Sequence, residues 1–340
     1  KADNKGTGVL SITTTGTTTG TAKSGIQAKN FSGTTDLTIN AATTTGGVYG
    51  IYARNFGTGA LSIKTTGTTT GTSGYGIDAY DSNTGSVSIT TTGTTTGGTS
   101  GIRAINYGGG ALSITTTGTT TGETGKGISA SNLQYYDYAR GTSLTINAAD
   151  TTGETRGIFA DNDGTGALSI TTTGTTKGTS SNGINAYNWT AGTSLTITAE
   201  DTTGRQGIYA MNRGTGALEI TTSGTTKGTS YYGIYANNSA AGTSLKITAE
   251  DTTGTQGIYA KNSGDGALEI TTTGTTEGIS SNGINANNSA AGTSLKITAE
   301  DTTGTQGIKA KNSGTGALEI TTTGTTEGIS SNGIYADNSA

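Results

Sequence analysis

A six-residue motif, Gly-Ile-x-Ala-x-Asn, recurs thirteen times along this chain, from Gly25 to Gly333, with Asp81 in place of the final Asn in one copy. Successive copies begin 24 to 26 residues apart, except for one interval of 30 residues that follows Gly127. A period of this length is typical of solenoids, in which each repeat forms one turn and stacks on its neighbours. We therefore expect one stacked array, and not the two or three domains that a length of 340 residues would suggest on average.

Each repeat contains two apolar pairs with a spacing of two residues, such as Ile26 with Ala28 and Leu37 with Ile39. This alternation predicts short β-strands whose apolar side chains point inward. The Thr-rich stretch that follows, as in residues 13–19, predicts a third strand or a turn. No segment has a helical period with capping residues. The sequence thus predicts an all-β fold: a single right-handed parallel β-helix, or β-solenoid, of about 13 coils of about 25 residues.

We expect one continuous solenoid over residues 1–340, with an inserted loop near 133–140. A double-coil repeat of 50 residues is clearest in residues 201–340. Residues 251–290 and 301–340 differ at four places, namely Tyr259 against Lys309, Asp265 against Thr315, Asn285 against Tyr335 and Asn287 against Asp337. Three of these four places are the variable positions of the six-residue motif, which are predicted to face outward.

The composition excludes several kinds of protein. The chain has no Cys, His or Pro, so it has neither disulfides nor Cys or His metal ligands. A charged fraction of 12% and a formal net charge of −4 indicate neither a polyelectrolyte chain nor a basic nucleic-acid surface. No apolar run is long enough to span a membrane. The sequence therefore indicates no cofactor, no nucleic-acid partner and no membrane insertion by this segment.

The recurrent Asn of the motif is expected to form a ladder of side-chain amides at one corner of the coil. The alternative is glycosylation where an Asn-x-Ser/Thr sequon occurs, as at Asn30 and Asn188. Most ladder positions lack that sequon.

Charged residues also recur in register. The residue between Leu and Ile alternates in sign through Glu219, Lys246, Glu269, Lys296 and Glu319, which predicts an outward column of opposite charges. Acidic pairs recur at residues 200–201, 250–251 and 300–301. Because they repeat identically, we interpret them as solvated turns and not as a catalytic pair, with weak calcium binding as the alternative.

The 30-residue unit carries about five extra residues, and its loop contains aromatic side chains and an arginine. Such residues supply much of the binding energy at interfaces. Two further aromatic residues follow ladder Asn residues in other coils. The candidate recognition residues are therefore Tyr107, Tyr135, Tyr136, Tyr138, Arg140 and Trp189. The alternative is that these rings fill a gap in the corner packing.

The sequence of residues 257–274, in which the motif is followed by Gly-x-Gly-Ala-Leu-x-Ile-Thr-Thr-x-Gly, resembles the repeats of bacterial type V autotransporter passenger domains. The resemblance covers nearly the whole chain. It implies a right-handed β-helix on the bacterial cell surface that serves adhesion, self-association or other host interaction. It also implies export, with the signal and the membrane anchor outside this chain, as in a piece of a longer array.

Four functions remain open. The first is a rigid adhesin or spacer that contacts a host protein or glycan, or a second copy of itself, through outward columns that include Tyr52, Tyr209, Tyr235, Tyr259 and Tyr335; it is also a possible antibody target. The second is ice binding by Thr arrays. The third is a passive stalk that presents a domain outside this chain. The fourth, an enzyme acting on polysaccharide, is disfavoured because no nucleophile motif and no unique carboxylate cluster mark a site.

Overall fold

A computed structural model of the protein describes residues 1–134 and 140–339, and all of its regular structure in these ranges is β-strand. The described residues form a parallel β-solenoid of about 13 turns, each built from three short strands, which confirms the predicted fold class. None of them belongs to a helix that could cross a membrane.

The chain comprises two compact units, Lys1–Gly174 and Thr175–Ala340. The single continuous array proposed from the sequence stays a prediction, and each unit is described on its own.

Twenty strands belong to the first unit: β1 Ala2–Asn4, β2 Leu10–Thr14, β3 Thr18–Gly20, β4 Ile26–Asn30, β5 Leu37–Ala41, β6 Thr44–Gly46, β7 Ile51–Asn55, β8 Leu61–Thr65, β9 Thr69–Gly71, β10 Ile77–Asp81, β11 Val87–Thr91, β12 Thr95–Gly97, β13 Ile102–Asn106, β14 Leu112–Thr116, β15 Thr120–Gly122, β16 Ile128–Asn132, β17 Leu144–Ala148, β18 Thr151–Gly153, β19 Ile158–Asn162 and β20 Leu168–Thr172.

Twenty more belong to the second unit: β21 Thr176–Gly178, β22 Ile184–Asn188, β23 Leu195–Ala199, β24 Thr202–Gly204, β25 Ile208–Asn212, β26 Leu218–Thr222, β27 Thr226–Gly228, β28 Tyr232–Asn238, β29 Leu245–Ala249, β30 Thr252–Gly254, β31 Gln256–Asn262, β32 Leu268–Thr272, β33 Thr276–Gly278, β34 Ile284–Asn288, β35 Leu295–Ala299, β36 Thr302–Gly304, β37 Ile308–Asn312, β38 Leu318–Thr322, β39 Thr326–Gly328 and β40 Ile334–Asn338.

In both units every third strand pairs with the next, which gives three parallel sheets. The first sheet contains the strands that end in the ladder position, the second contains the Leu-x-Ile strands, and the third contains the three-residue Thr-x-Gly strands. In the second unit, for example, β25, β28 and β31 are neighbours in the first sheet, with Ile208, Ile234 and Ile258 in one register. Equivalent residues of successive turns therefore stand side by side throughout a unit.

The core is formed by the alternation that the sequence predicts. Ile234 and Ala236 in the first sheet and Leu245 and Ile247 in the second are fully buried, and the residues between them face outward. The Thr-rich stretch provides the third strand, and its first residue, such as Thr252, points into the core. β-Branched side chains suit this arrangement, because a pleated strand buries them against the equivalent residues of the turns on either side.

The glycine that opens each motif lies where two turns approach most closely. A Cβ atom on Gly233 would lie 2.5 Å from the Thr252 methyl carbon and 2.8 Å from the Gly257 carbonyl oxygen. These distances are too short for any side chain, so the corner between the third and first sheets requires glycine.

The predicted amide ladder is confirmed. In the second unit Nδ2 of each ladder Asn donates to Oδ1 of the Asn in the next turn, at 2.9 Å from Asn212 to Asn238 and 3.0 Å from Asn238 to Asn262. The same Nδ2 also donates to backbone carbonyls of its own corner, such as Thr243 O at 3.1 Å. Asn30 and Asn188, the two sequon positions, are buried in this ladder and donate to Asn55 and Asn212. Their side-chain nitrogens are therefore not presented for glycosylation.

Candidate functional site

The outward face of the first sheet in the second unit carries a column of three stacked tyrosines. Tyr209, Tyr235 and Tyr259 occupy the first variable position of the motif on β25, β28 and β31, and the parallel register places them directly beside one another. Their ring centroids are 4.7 Å apart between Tyr209 and Tyr235 and 5.1 Å apart between Tyr235 and Tyr259, with interplanar angles of 4° and 9°. The spacing of rings follows from the spacing of neighbouring strands, about 4.8 Å. We call these three residues the tyrosine column.

Stacking covers most of the ring faces in the tyrosine column. Tyr235 lies between the other two rings, and Tyr232 contacts Tyr235 and Tyr259 from one side at 5.2 Å and 5.6 Å. This burial raises the pKa of Tyr209 to about 12, with further contributions from the neighbouring phenols, and it also raises the pKa of Tyr235 and Tyr259. The phenols are therefore neutral hydrogen-bonding groups over the physiological pH range.

A second aromatic pair lies at one end of this column. Tyr187 on β22 is stacked against Trp189, with ring centroids 5.9 Å apart and an interplanar angle of 12°, and it contacts Tyr209 at 5.6 Å. The guanidinium of Arg213 lies 4.7 Å from the Trp189 ring centroid. Trp189, predicted from sequence as a recognition residue, is thus part of a larger aromatic surface.

At the other end of the column the side chains become basic and amidic. Tyr259 and Lys261 of β31 are paired with Asn285 and Asn287 of β34, which are in turn paired with Lys309 and Lys311 of β37. We call Lys261, Asn285, Asn287, Lys309 and Lys311 the lysine–asparagine patch.

No carboxylate of the described residues forms an ion pair with a lysine of this patch; the one ion pair in the second unit is Lys296 with Glu319, on the second sheet. The patch therefore has uncompensated positive charge.

The first unit has an aromatic and charged cluster of a different kind. Asp78 is buried and pairs with the guanidinium groups of both Arg54 and Arg103, the latter at 3.2 Å. The Arg54 guanidinium also lies 3.9 Å from the ring centroid of Tyr52. The charges of this cluster are satisfied internally, so it supports the fold more directly than it offers a binding site.

The predicted recognition residues do not come together as one site among the described residues. Tyr107 lies in the first unit, where its ring is 5.6 Å from that of Tyr80, in an edge-to-face arrangement. Arg140 is also in the first unit and forms an ion pair with Asp163, with Nη1 and Oδ1 2.8 Å apart. Trp189 is in the second unit. Tyr135, Tyr136 and Tyr138 lie outside the described residues, so recognition by this loop stays a prediction.

The repeated charges behave structurally. The predicted column pairs Lys246 with Glu219 and with Glu269, on the exposed face of the second sheet. Each acidic turn is solvent exposed, and its Asp accepts a hydrogen bond from a backbone N–H of the next turn, as Asp251 Oδ1 does from Thr275 N at 2.9 Å. Within the described residues no group of three or more acidic side chains is placed to hold a metal ion.

Sequence reasoning had named Tyr209, Tyr235 and Tyr259 as outward residues but had not placed them in one stack or joined them to the lysine–asparagine patch. The signal was present, because the three tyrosines occupy the same motif position in successive repeats. Reading that position down the repeats, and not along the chain, would have found both features.

Comparison with known proteins finds no matching family model, no matching curated protein and no matching solved structure.

Proposed function

We propose that this chain is a non-catalytic recognition scaffold: an adhesin segment of an exported bacterial surface protein, of the autotransporter passenger kind suggested by its repeats. The solenoid holds side chains in fixed rows, and the outward face of the first sheet contacts the partner on the host cell surface. Many weak contacts along such a face combine into useful affinity without a deep pocket.

The observation that supports this proposal is where nearly identical repeats differ. Residues 251–290 and 301–340 are the same at all but four positions, and three of those four lie on the outward face of the first sheet. On the second sheet the outward residues repeat unchanged, as with Glu269 and Glu319. A scaffold that varies one face while preserving the others has the organisation expected of a recognition surface on a repeat protein.

Binding of the purified chain to host cells, measured by flow cytometry, tests this proposal. The informative variant exchanges two side chains, Tyr259→Lys with Lys309→Tyr, because each residue already occupies the equivalent position in the other repeat. Composition, charge and turn geometry are preserved, so the melting temperature is expected to be unchanged while cell binding weakens. The matched control exchanges Glu269→Lys with Lys296→Glu on the second sheet, which preserves an opposite-charge pair between neighbouring turns.

Equal binding by the exchange variant and the wild-type chain would remove the first-sheet face from the proposal. A wild-type chain that binds no host cells and does not self-associate in analytical ultracentrifugation would instead favour a passive stalk.

Ice binding is a second candidate because the first unit has uninterrupted rows of outward hydroxyl groups. The middle residues of its third-sheet strands pair turn by turn, and they are Thr19, Thr45, Thr70, Thr96, Thr121 and Thr152. The corresponding position is Lys227 or Glu277 in some turns of the second unit, so lysine is tolerated there. A wild-type chain that inhibits ice recrystallisation, and a Thr96→Lys variant that does not, would support this function; a wild-type chain without effect on ice would exclude it.

A further inference from the structure

We propose that the lysine–asparagine patch, together with the free side of Tyr259, binds an acidic sugar unit of an extended polysaccharide. This inference rests on the proposed recognition function and names the chemistry of the partner.

Side-chain size and register give the patch its shape. Asn285 and Asn287 are the outward residues of β34, and they lie between the longer side chains of β31 and β37. Asn287 Nδ2 donates to Asn285 Oδ1 at 3.1 Å, which ties the two amides together as a polar floor. Tyr259 and Lys261 stand on one side of this floor. Lys309 and Lys311 stand on the other, two strand spacings away, or roughly 10 Å.

The tyrosine column ends at this floor. One face of the Tyr259 ring is covered by Tyr235, with centroids 5.1 Å apart, while the residue paired with Tyr259 on the other side is the much shorter Asn285. The aromatic ring is thus available to one side of a ligand lying on the asparagine floor. An apolar ring face beside hydrogen-bonding amides suits a pyranose ring, which has both C–H surfaces and hydroxyl groups.

Charge decides between neutral and acidic sugars. The second unit contains 13 acidic and nine basic residues, yet the outward positions of its first sheet carry Lys261, Lys309 and Lys311 against one carboxylate, Asp337, on the last strand. No carboxylate of the described residues pairs with these lysines. Like charges held close together without counter-charges destabilise a protein, so an anionic ligand would relieve a cost that the free protein bears.

The contacts available to such a ligand can be assigned by chemistry. Lysine ammonium groups provide charge-assisted hydrogen bonds to a uronate or sialate carboxylate. The free Nδ2 group of Asn285 and the Oδ1 atom of Asn287 provide a donor and an acceptor for sugar hydroxyls. Nucleic acid is the less suitable partner, because its dense phosphate charge calls for many basic contacts and its bases for exposed aromatic faces, whereas most faces in the tyrosine column are already covered.

The test is a titration of the full chain with oligogalacturonate of defined length, followed by calorimetry at low ionic strength. The same oligosaccharide with its carboxylates reduced to alcohols is the neutral probe, and single-stranded oligo(dT) of equal charge is the polyanion probe. We expect oligogalacturonate to bind at least about tenfold more tightly than either probe, corresponding to one or two charge-assisted hydrogen bonds.

Two variants with the same change in net charge separate the patch from general electrostatics. Lys261→Gln with Lys311→Gln removes two ammonium groups of the patch, while Lys246→Gln with Lys296→Gln removes two on the second sheet. The patch variant is expected to bind oligogalacturonate about tenfold or more weakly, and the second-sheet variant to bind within about twofold of wild type. Circular dichroism melting confirms that both variants are folded.

Equal weakening by both variants would overturn the proposal, because it would mean that binding follows net charge alone. Equal or tighter binding of oligo(dT) through the same lysines would overturn the choice of polysaccharide. A chain that binds host cells through the first-sheet face but binds none of the three probes would leave the recognition function standing and refute this inference about the ligand.

Discussion

Asp81 is the one residue that interrupts the amide ladder, and it does so with an ionisable group. It is fully buried, where Oδ2 accepts a hydrogen bond from Asn55 Nδ2 at 2.9 Å and Oδ1 accepts one from Asn83 N at 3.0 Å. Burial is the largest influence and raises the pKa of this carboxyl from 3.8 to about 6, against the opposite effect of the two hydrogen bonds. An ionised Asp has no proton to donate, whereas an Asn at this position would donate an N–H group to the next rung.

Replacing Asp81→Asn is expected to stabilise the protein at neutral pH. Because the folded-state pKa is raised, the native chain binds the proton more tightly than the unfolded chain does. Stability associated with this group is therefore fully present below about pH 4 and is lost as the pH rises through about 6, by up to about 3 kcal/mol. Urea unfolding at a series of pH values should give a wild-type-minus-variant difference that grows over this window. A difference independent of pH would contradict the prediction.

At the residue scale the sequence predicts inward and outward positions well, because the strand period of two assigns each side chain to a face. It could not predict the tyrosine column as a stack, since the ring angles of Tyr209 and Tyr235 depend on side-chain rotamers. Nor could it predict that Arg54 and Arg103 share Asp78, because this contact joins three different turns.

At the scale of the strand, two neighbouring asparagines on β34 show how position determines energetic importance. Asn288 is 2% exposed, accepts a hydrogen bond from Asn262 at 3.2 Å and donates to Asn312 at 2.9 Å and Ser294 O at 3.3 Å. Asn287 faces outward and has the single side-chain contact with Asn285 described above. The same residue type thus forms part of the fold at one position and of the surface at the next.

Substituting Asn288→Ala is expected to cost about 2 to 4 kcal/mol, because the buried groups of neighbouring rungs lose their partners. The matched substitution Asn287→Ala, one residue earlier on the same strand, is expected to change stability by about 0.5 kcal/mol or less. Chemical denaturation of both variants gives the comparison, and equal losses would mean that the ladder contributes little.

Strand placement within a turn was largely predictable, and the third strand shows where it was not. The Thr-rich stretch was compatible with either a strand or a turn, because Thr favours strands and the glycines favour turns. The structure forms both, with a three-residue strand such as Thr252–Gly254 and a glycine-dependent corner after it. Local propensities are balanced here, and pairing with the adjacent turns decides the outcome.

At the scale of the molecule, the second unit is organised in pairs of turns. Glu219 is paired with Lys246 and Lys246 with Glu269, so opposite charges meet at each contact between turns. The Asp251 cap on Thr275 likewise joins a turn of one kind to a turn of the other. Two turns, and not one, are therefore the unit that can be repeated without conflict, as the 50-residue period predicted.

Removing residues 233–282, one full pair of turns, is expected to leave a folded protein, because Glu219 would then meet Lys296. Removing residues 233–256, a single turn, would bring Glu219 against Glu269 and leave Thr275 N without its Asp cap. The single-turn deletion should have the lower melting temperature at low ionic strength, and added salt should narrow the gap. A single-turn deletion as stable as the two-turn deletion in low salt would contradict pairwise organisation.

The near identity of the paired turns also has a genetic consequence. Coding segments this similar misalign readily during recombination, and unequal exchange between them adds or removes whole copies. Because 50 residues restore both the charge alternation and the Asp caps, products that change by that length keep compatible neighbours, whereas those that change by one turn do not. Selection for folding would therefore leave alleles whose lengths differ in steps of two turns, so that a lineage can lengthen or shorten this protein without redesigning it.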